Sequence, residues 1–334
     1  MKNSKCLFRF KRCNKYAFDE LFKGYITFVC LDKFNDAMEG YIQFDPSVVY
    51  ETCLKENYKS FFNKLIKNEE KTMIFGGKNP FSEMTKTEKY NFVRSEEYKP
   101  KAMAFIKEFG ETLFNELRNS FCAASFSARG GHPVMWSHYS DDSSGFAIAY
   151  DVALLRSNFY AYATNEFEGF NKQQMKLFKL HKITYGESRD CTNLVIDFIK
   201  KAYNPGKTSI NKFMKYAENG NNIDDIIYLL TNKMKEWEYE CEYRLLIPRT
   251  MTKKKKILKE EALEYSVGIV NASFTNPEFI VAGEKIEKSN LAALAYYASI
   301  NLKGIHKLWV QKRDKDLVEK HIMHSVRFDP KYLE

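Results

Sequence analysis

The chain has no long apolar run. No window approaches the about 18 apolar residues that a membrane helix needs, so no membrane partner is expected and the chain reads as cytoplasmic. The stretch Tyr25 to Leu31 is short and stops at Asp32-Lys33. The basic start, Met1 to Cys13, has no apolar core behind it, so neither segment reads as a secretion signal. Glycine and proline are scarce, at 15 and 8 of 334 residues, which excludes collagen-like and Pro/Gly-rich disordered chains. The seven cysteines are odd in number and form no C-x-x-C pair. That argues for reduced thiols and against a disulfide scaffold or a structural zinc site. No Walker A loop, G-x-G-x-x-G or G-x-S-x-G is present, so the usual NTPase, Rossmann and serine-hydrolase readings have no support. Carboxylates are outnumbered, 43 against 52 Lys and Arg, for a net charge of +9. This is a modest pull toward an anionic partner.

Aromatic residues are plentiful, at 15% of the chain. Strand signals rich in β-branched and aromatic residues fall at Leu7 to Phe10, Tyr25 to Cys30, Phe121 to Phe126, Gly145 to Tyr150, Glu240 to Ile247, Glu264 to Ile269, Phe279 to Val281 and Lys307 to Val310. Helical spacing joins Tyr16 to Phe22, and Val49, Leu54, Tyr58, Phe61, Phe62, Leu65 and Ile66 along one face. It recurs from Ala102 to Leu113, at Leu194 to Ile199, at Ile226 to Leu230, and from Ser289, as N-cap, to Ile300. Asp36 and Glu39 have the form of a capping box, Tyr203 to Gly206 that of a turn, and Lys253 to Lys256 that of a hairpin tip. No linker divides the chain. The expected fold is a single α+β domain over 1–334, with a helical insertion at about 47–119 and a second helical block at about 171–236.

Three stretches carry more polar detail than a core requires. In the first, Arg9 alternates with Phe8 and Phe10, a setting that suits a diphosphate or carboxylate as well as a surface Arg. In the second, Trp136, Ser137, His138 and Tyr139 precede the acidic turn Asp141-Asp142. They read either as a pocket wall that stacks a planar ring or as helix-to-sheet packing. In the third, strand alternation puts Glu238, Glu240, Glu242 and Arg244 on one side if the strand starts that early. Such a row is either an ion-paired exposed face or a site that meets positive charge.

Together the motifs Phe34-Asn35-Asp36-Ala37-Met38-Glu39, Met135-Trp136-Ser137-His138-Tyr139-Ser140 and Trp237-Glu238-Tyr239-Glu240-Cys241-Glu242-Tyr243-Arg244 resemble those of a large bacterial family of unknown function, in order from about residue 5 to 310. Ala37 stands where that family usually has Pro. More remotely, the layout is similar to ADP-ribosyltransferases of the DarT and PARP-like kind, which end with a glutamate in [QE]-x-E on a late strand. This second resemblance is fold-level analogy. It implies a split sheet, NAD as substrate, and a toxin or phage-defence role. It implies Glu242 as the catalytic carboxylate, with Glu240 orienting or activating the acceptor. Arg9, Phe10, Trp136, Ser137, His138, Tyr139 and Arg244 would then line the NAD site. The acceptor would be RNA, DNA or a protein, and an antitoxin or chaperone could accompany the chain. Two other readings stay open: a silent nucleotide- or phage-sensing module, and a metal-dependent nuclease using Asp141, Asp142 and the glutamates as hard oxygen ligands.

Overall fold

A computed structural model describes residues 6–34, 43–72, 80–167, 170–186, 190–202, 222–249, 269–312 and 324–327. Alternating side chains make Cys6–Lys11 strand β1, and Ile26–Cys30 makes β2. Between them lies helix α1, Lys15–Lys23. Asn14 caps it by accepting a bond from the Ala17 N–H, and Gly24 ends it at φ +67°, a conformation glycine adopts without steric cost.

The expected inserted helices follow, with one correction. The apolar face from Val49 to Ile66 is two helices, α2 (Pro46–Lys55) and α3 (Lys59–Thr72). Asn57 breaks it at φ +53°, a left-handed conformation that its short polar side chain tolerates. Helices α4 (Lys86–Phe92) and α5 (Lys99–Ser120) complete the layer.

The chain then returns to the sheet. β3 (Phe121–Ser127) leads through α6 (Pro133–Tyr139) to β4 (Phe146–Asp151). Helix α7, Val152–Glu166, was not expected from its pattern; its apolar residues are spread around the helix and form no clear stripe. The short strands β5 (His181–Lys182), β6 (Thr184–Tyr185) and β7 (Asn232–Lys233) surround α8 (Thr192–Lys200) and α9 (Asn222–Leu230). β8 spans Glu242–Pro248, two residues later than the sequence suggested, because 235–240 coil into a tight 3-10 segment. β9 (Ile269–Ala272), β10 (Phe279–Ala282), helix α10 (Lys288–Asn301), β11 (Leu308–Lys312) and an unexpected β12 (His324–Arg327) complete the described elements. Ser289 is not the N-cap of α10: the helix starts one residue earlier and Glu287 holds that position, with no side-chain cap bond. The proposed capping box at Asp36 and Glu39, the turn at 203–206 and the lysine run at 253–256 lie outside the described residues.

The sheet has a fork at its centre. β8 pairs one edge of β3 along all seven residues, from Phe121↔Pro248 to Ser127↔Glu242. β1 and β2 must therefore divide the other edge. β1 meets it at Phe8↔Ser127, and β2 at Val29↔Ala123 and Cys30↔Cys122. Between those points β1 continues beside β4 and β2 beside β9. The β3 edge from Ala124 to Phe126 thus lacks a strand partner among the described pairings. The helical layers bury a large apolar core against this sheet, with Phe28, Phe61, Phe62, Phe121, Phe126 and Phe159 among its largest members, and Trp136, Ala147 and Val281 form a second, smaller cluster.

Candidate functional site

A cleft of about 300 Å³ opens at the fork. β3 supplies Ala123, Ser125, Phe126 and Ser127; β1 supplies Phe8, Arg9 and Phe10; β2 supplies Thr27 and Val29. Lys33 and Phe34 close one side. Met135, Tyr139, Lys233, Trp237, Glu240 and Glu242 close the other. The cleft therefore has aromatic walls and a charged patch at one end, the mixture expected of a small-molecule site.

That charged patch comes from the start of β8. Cys241 takes a left-handed conformation, φ +44°, between the 3-10 segment and the strand. It separates two buried glutamates, 3% and 4% exposed, that both reach the cleft. Glu240 accepts from the Tyr139 hydroxyl at 2.5 Å and from Lys233 Nζ at 2.6 Å. Glu242 is gripped by Arg244 through Nε at 2.7 Å and Nη2 at 3.0 Å, and Lys233 Nζ stands 3.5 Å away. Arg244 is fully buried and also donates to the Leu230 carbonyl at 2.9 Å. Lys233 lies 4.6 Å from the centre of the Trp237 ring, close enough for a cation–π contact. Glu238 lies in the 3-10 segment and is exposed, and Glu240 ends that segment, so of the row of carboxylates expected on one strand face only Glu242 is on the strand; Glu240 reaches the cleft from the turn before it.

The two carboxyl groups are pushed apart. Burial pushes Glu242 up, but the Arg244 and Lys233 charges outweigh it and hold it down to about 2. Burial also pushes Glu240 up; the nearby Glu242 charge reinforces this, Lys233 and Tyr139 offset it only in part, and the group titrates above the usual range. Burial and the charge of Glu240 raise the Tyr139 hydroxyl, so it stays protonated and donates.

Across the fork lies a second network. Arg9 lines the cleft, yet its guanidinium is already engaged. Nη1 stands 3.2 Å from Glu20 Oε1, and Nη2 donates to the Thr27 carbonyl at 3.1 Å. Lys11 Nζ and Thr27 Oγ1 reach the same carboxylate at 2.5 and 2.8 Å. A side chain thus bridges β1 to β2 where backbone pairing has stopped. Burial pushes Glu20 up, but the Arg9 and Lys11 charges hold it below the ordinary range. Burial, helped by the neighbouring Arg9 charge, pulls Lys11 down to about 8.

The residues singled out on α6 divide by helical face. Tyr139 and Met135, one turn apart, face the cleft. Trp136 does not: it is fully buried, packs edge-on against Phe10 at 5.2 Å, and donates Nε1–H to the Gly130 carbonyl at 2.8 Å. Gly130 has no room for a side chain, since a Cβ there would meet the Phe8 ring at 2.6 Å. Ser137 and His138 are exposed and do not line the cleft. His138 instead stands 3.4 Å from the Tyr239 hydroxyl, and His132 stacks on the Tyr239 ring. Of the nine residues proposed from sequence, Arg9, Phe10, Tyr139, Glu240 and Glu242 line the cleft. Arg244 stands behind it, and Trp136, Ser137 and His138 lie outside.

Sequence reasoning missed Lys233 and Glu20. Nothing marks Lys233, a lone lysine between a helix and a 3-10 turn. Glu20 carried a signal: it sits three residues after Ala17 and beside Leu21, on the apolar face of α1, where a carboxylate needs a partner. Among the described residues no group of three or more His, Cys, Asp or Glu side chains is arranged to hold a metal ion, and no helix is long and apolar enough to cross a membrane.

Fold and cleft together define an α+β protein with a forked sheet and a carboxylate pair at the fork. Residues 135–245 match the family described as Protein of unknown function (DUF2971), in keeping with the resemblance to a family of unknown function. The matched segment holds Tyr139, Lys233, Glu240, Glu242 and Arg244, while Arg9 and Phe10 precede it. No curated protein and no solved structure matches the chain.

Proposed function

We propose that the cleft binds the nicotinamide–ribose end of NAD and transfers ADP-ribose to a nucleic-acid acceptor. The observation that carries this reading is the Glu240–Glu242 pair: two buried carboxylates at one cleft wall, one held as an anion by Arg244 and Lys233 and one whose proton affinity burial raises. Pairs whose pKa values are driven apart by their surroundings mark acid–base assignments. NAD supplies a glycosidic bond whose cleavage passes through an oxocarbenium-like state, and a nearby carboxylate stabilises such a state.

The residues present fit such a group in several respects. Phe34 and Trp237 line the cleft as aromatic partners for a planar ring, each with a cation already near one face, Arg244 at 5.1 Å and Lys233 at 4.6 Å. Of the two charge networks, the one around Glu20 carries two cations and one carboxylate, so it keeps one positive charge at the end of the cleft that a diphosphate would approach. The Arg9 guanidinium would meet that diphosphate as a charge shared with Glu20: Nη1 pairs with that carboxylate without a hydrogen bond, and Nη2 donates to the Thr27 carbonyl.

Acceptor capacity supports a reversal of the two glutamate roles implied by the resemblance. A carboxylate offers about four acceptor positions. Glu242 faces three donor atoms from Arg244 and Lys233, whereas Glu240 accepts two bonds, from Tyr139 and Lys233. We therefore assign Glu240 to the ribose or the incoming hydroxyl, and Glu242 to holding Lys233 and Arg244. The ring group of His132, His138 and Tyr239, of which His138 is exposed and the other two are half-buried, lies next to the cleft residue Trp237 and suits contact with a base of the acceptor.

The test is to incubate the protein with NAD and follow nicotinamide release, alone and with RNA, DNA or a protein mixture. Release that Glu240→Gln abolishes is expected. No release under any condition, together with no NAD binding by calorimetry, overturns the reading. Tight NAD binding without turnover, unchanged in Glu240→Gln, would point to a sensing module instead.

A further inference from the structure

Two of the cysteines meet. Cys30 ends β2, Cys122 is the second residue of β3, and the register makes them direct partners. Both are fully buried, and their sulfurs stand 2.6 Å apart. The two are free thiols in direct contact, inside the about 3.5–4.0 Å at which even unbonded carbon atoms rest. Sequence spacing gave no hint of the pair, because 92 positions separate the two residues.

We infer that Cys30 and Cys122 form a reversible disulfide when the protein meets a small disulfide of the glutathione type. One thiol, as its thiolate, attacks a sulfur of that disulfide and releases one small thiol, leaving a mixed disulfide. The second cysteine displaces the other small thiol and closes the Cys30–Cys122 bond. The two cysteine hydrogens end on the two released thiols, and the small disulfide is the species reduced. Because both sulfurs are sealed, exchange in the folded protein runs through local opening of the strand pair.

The location gives the bond a consequence. The neighbouring register pair, Val29 and Ala123, lines the cleft. The disulfide therefore pins the closed limb of the fork, where β2 still holds β3, beside the binding space. This inference goes beyond the proposed reaction and does not depend on it.

The experiment equilibrates the full chain with mixtures of reduced and oxidised glutathione, both as the folded protein and through unfolding and refolding. Free thiols are then counted, and the peptides mapped without reduction. The seven thiols are expected to fall to five, with one cross-linked pair joining the Cys30 and Cys122 peptides and a mass lower by two hydrogens. The oxidised protein is expected to melt at a higher temperature than the reduced one. Cys122→Ser should keep its melting temperature the same in both buffers. Oxidation on refolding alone still supports the pair and assigns the bond to folding. Seven free thiols under both routes, or cross-links that scatter among other cysteines, overturn the inference. Nicotinamide release plays no part in any of these outcomes.

Discussion

Glu20 and Glu242 are both buried carboxylates under two cations, yet the two networks differ in balance. Around Glu20, Arg9 and Lys11 crowd one carboxylate, and every partner belongs to β1, α1 or β2. Around Glu242, Lys233 and Arg244 face two carboxylates, and the extra one, Glu240, takes a hydrogen bond from Tyr139 on a separate helix. The first arrangement closes on itself and ties the two arms of the fork. The second leaves a carboxylate whose proton affinity is raised and which still faces open space. A buried charge network is thus ambiguous by itself, because buried pairs often contribute little net stability. The difference lies in whether one member remains able to accept from outside.

Breaking the Glu20 network should have the largest effect. Glu20→Gln leaves Arg9 and Lys11 side by side without a counter-charge, and should cost on the order of 3–5 kcal/mol, read from urea denaturation. A loss under about 1 kcal/mol, the size of an exposed pair, would remove the distinction between the networks. Glu240→Gln leaves Lys233 the Glu242 counter-charge, so it should cost only about 1–2 kcal/mol while lowering nicotinamide release about 10²–10³-fold; an equal loss of stability in both variants would mean that both networks are structural.

Titration separates them further. Glu242 falls from 4.5 to about 2 on folding, so its contribution to stability is complete above the unfolded value and is lost as pH falls toward about 2. Glu240 is raised, so its contribution is present below 4.5 and is lost as pH climbs through the raised value. Lys11 falls from 10.5 to about 8. The folded protein then sheds that proton first, and stability should rise between about pH 8 and 10.5. A Lys11→Met variant should lose that rise in a pH series of denaturation curves.

Tyr139→Phe should cost about 1–2 kcal/mol, because it removes a bond to a charged group. It should also move the limb of the pH–rate profile that reports Glu240 to higher pH, since the hydroxyl bond lowers that group. The smallest effect is expected at Cys241. Its left-handed backbone favours glycine, so Cys241→Gly should be neutral or stabilising by up to about 1 kcal/mol, with the glutamate pair left in place.

Much of this was legible in the chain. The alternation at Leu7 to Phe10 and the apolar run at Phe121 to Phe126 marked two of the strands that form the fork. Tyr139, Glu240 and Glu242 stood out because their polar chemistry exceeded what packing needs. Trp136 and His138 stood out for the same reason and lie outside the cleft. Residue type suggests chemistry, but only the helical phase assigned Tyr139 to the cleft and Trp136 to the core. The two networks were largely hidden. Lys233 joins its partners from a two-residue strand, and Glu20 and Arg9 meet only because β1 and β2 diverge. The break at Asn57 was missed since the apolar spacing runs through it unchanged.

The fork also determines which parts of the cleft can change. Its floor is β3, whose far edge is paired with β8 along its whole length. The opening is therefore made by missing rungs, and its shape follows from strand register. The walls, in contrast, are side chains from β1, β2, α6, the 3-10 turn and the segment at Phe34, and outside the two charge networks they do not set the register. Relatives could exchange Phe34, Met135 or Trp237 and recognise different molecules while keeping an identical floor. For the same reason, designed changes in ligand preference should begin at those three positions and leave β3 alone.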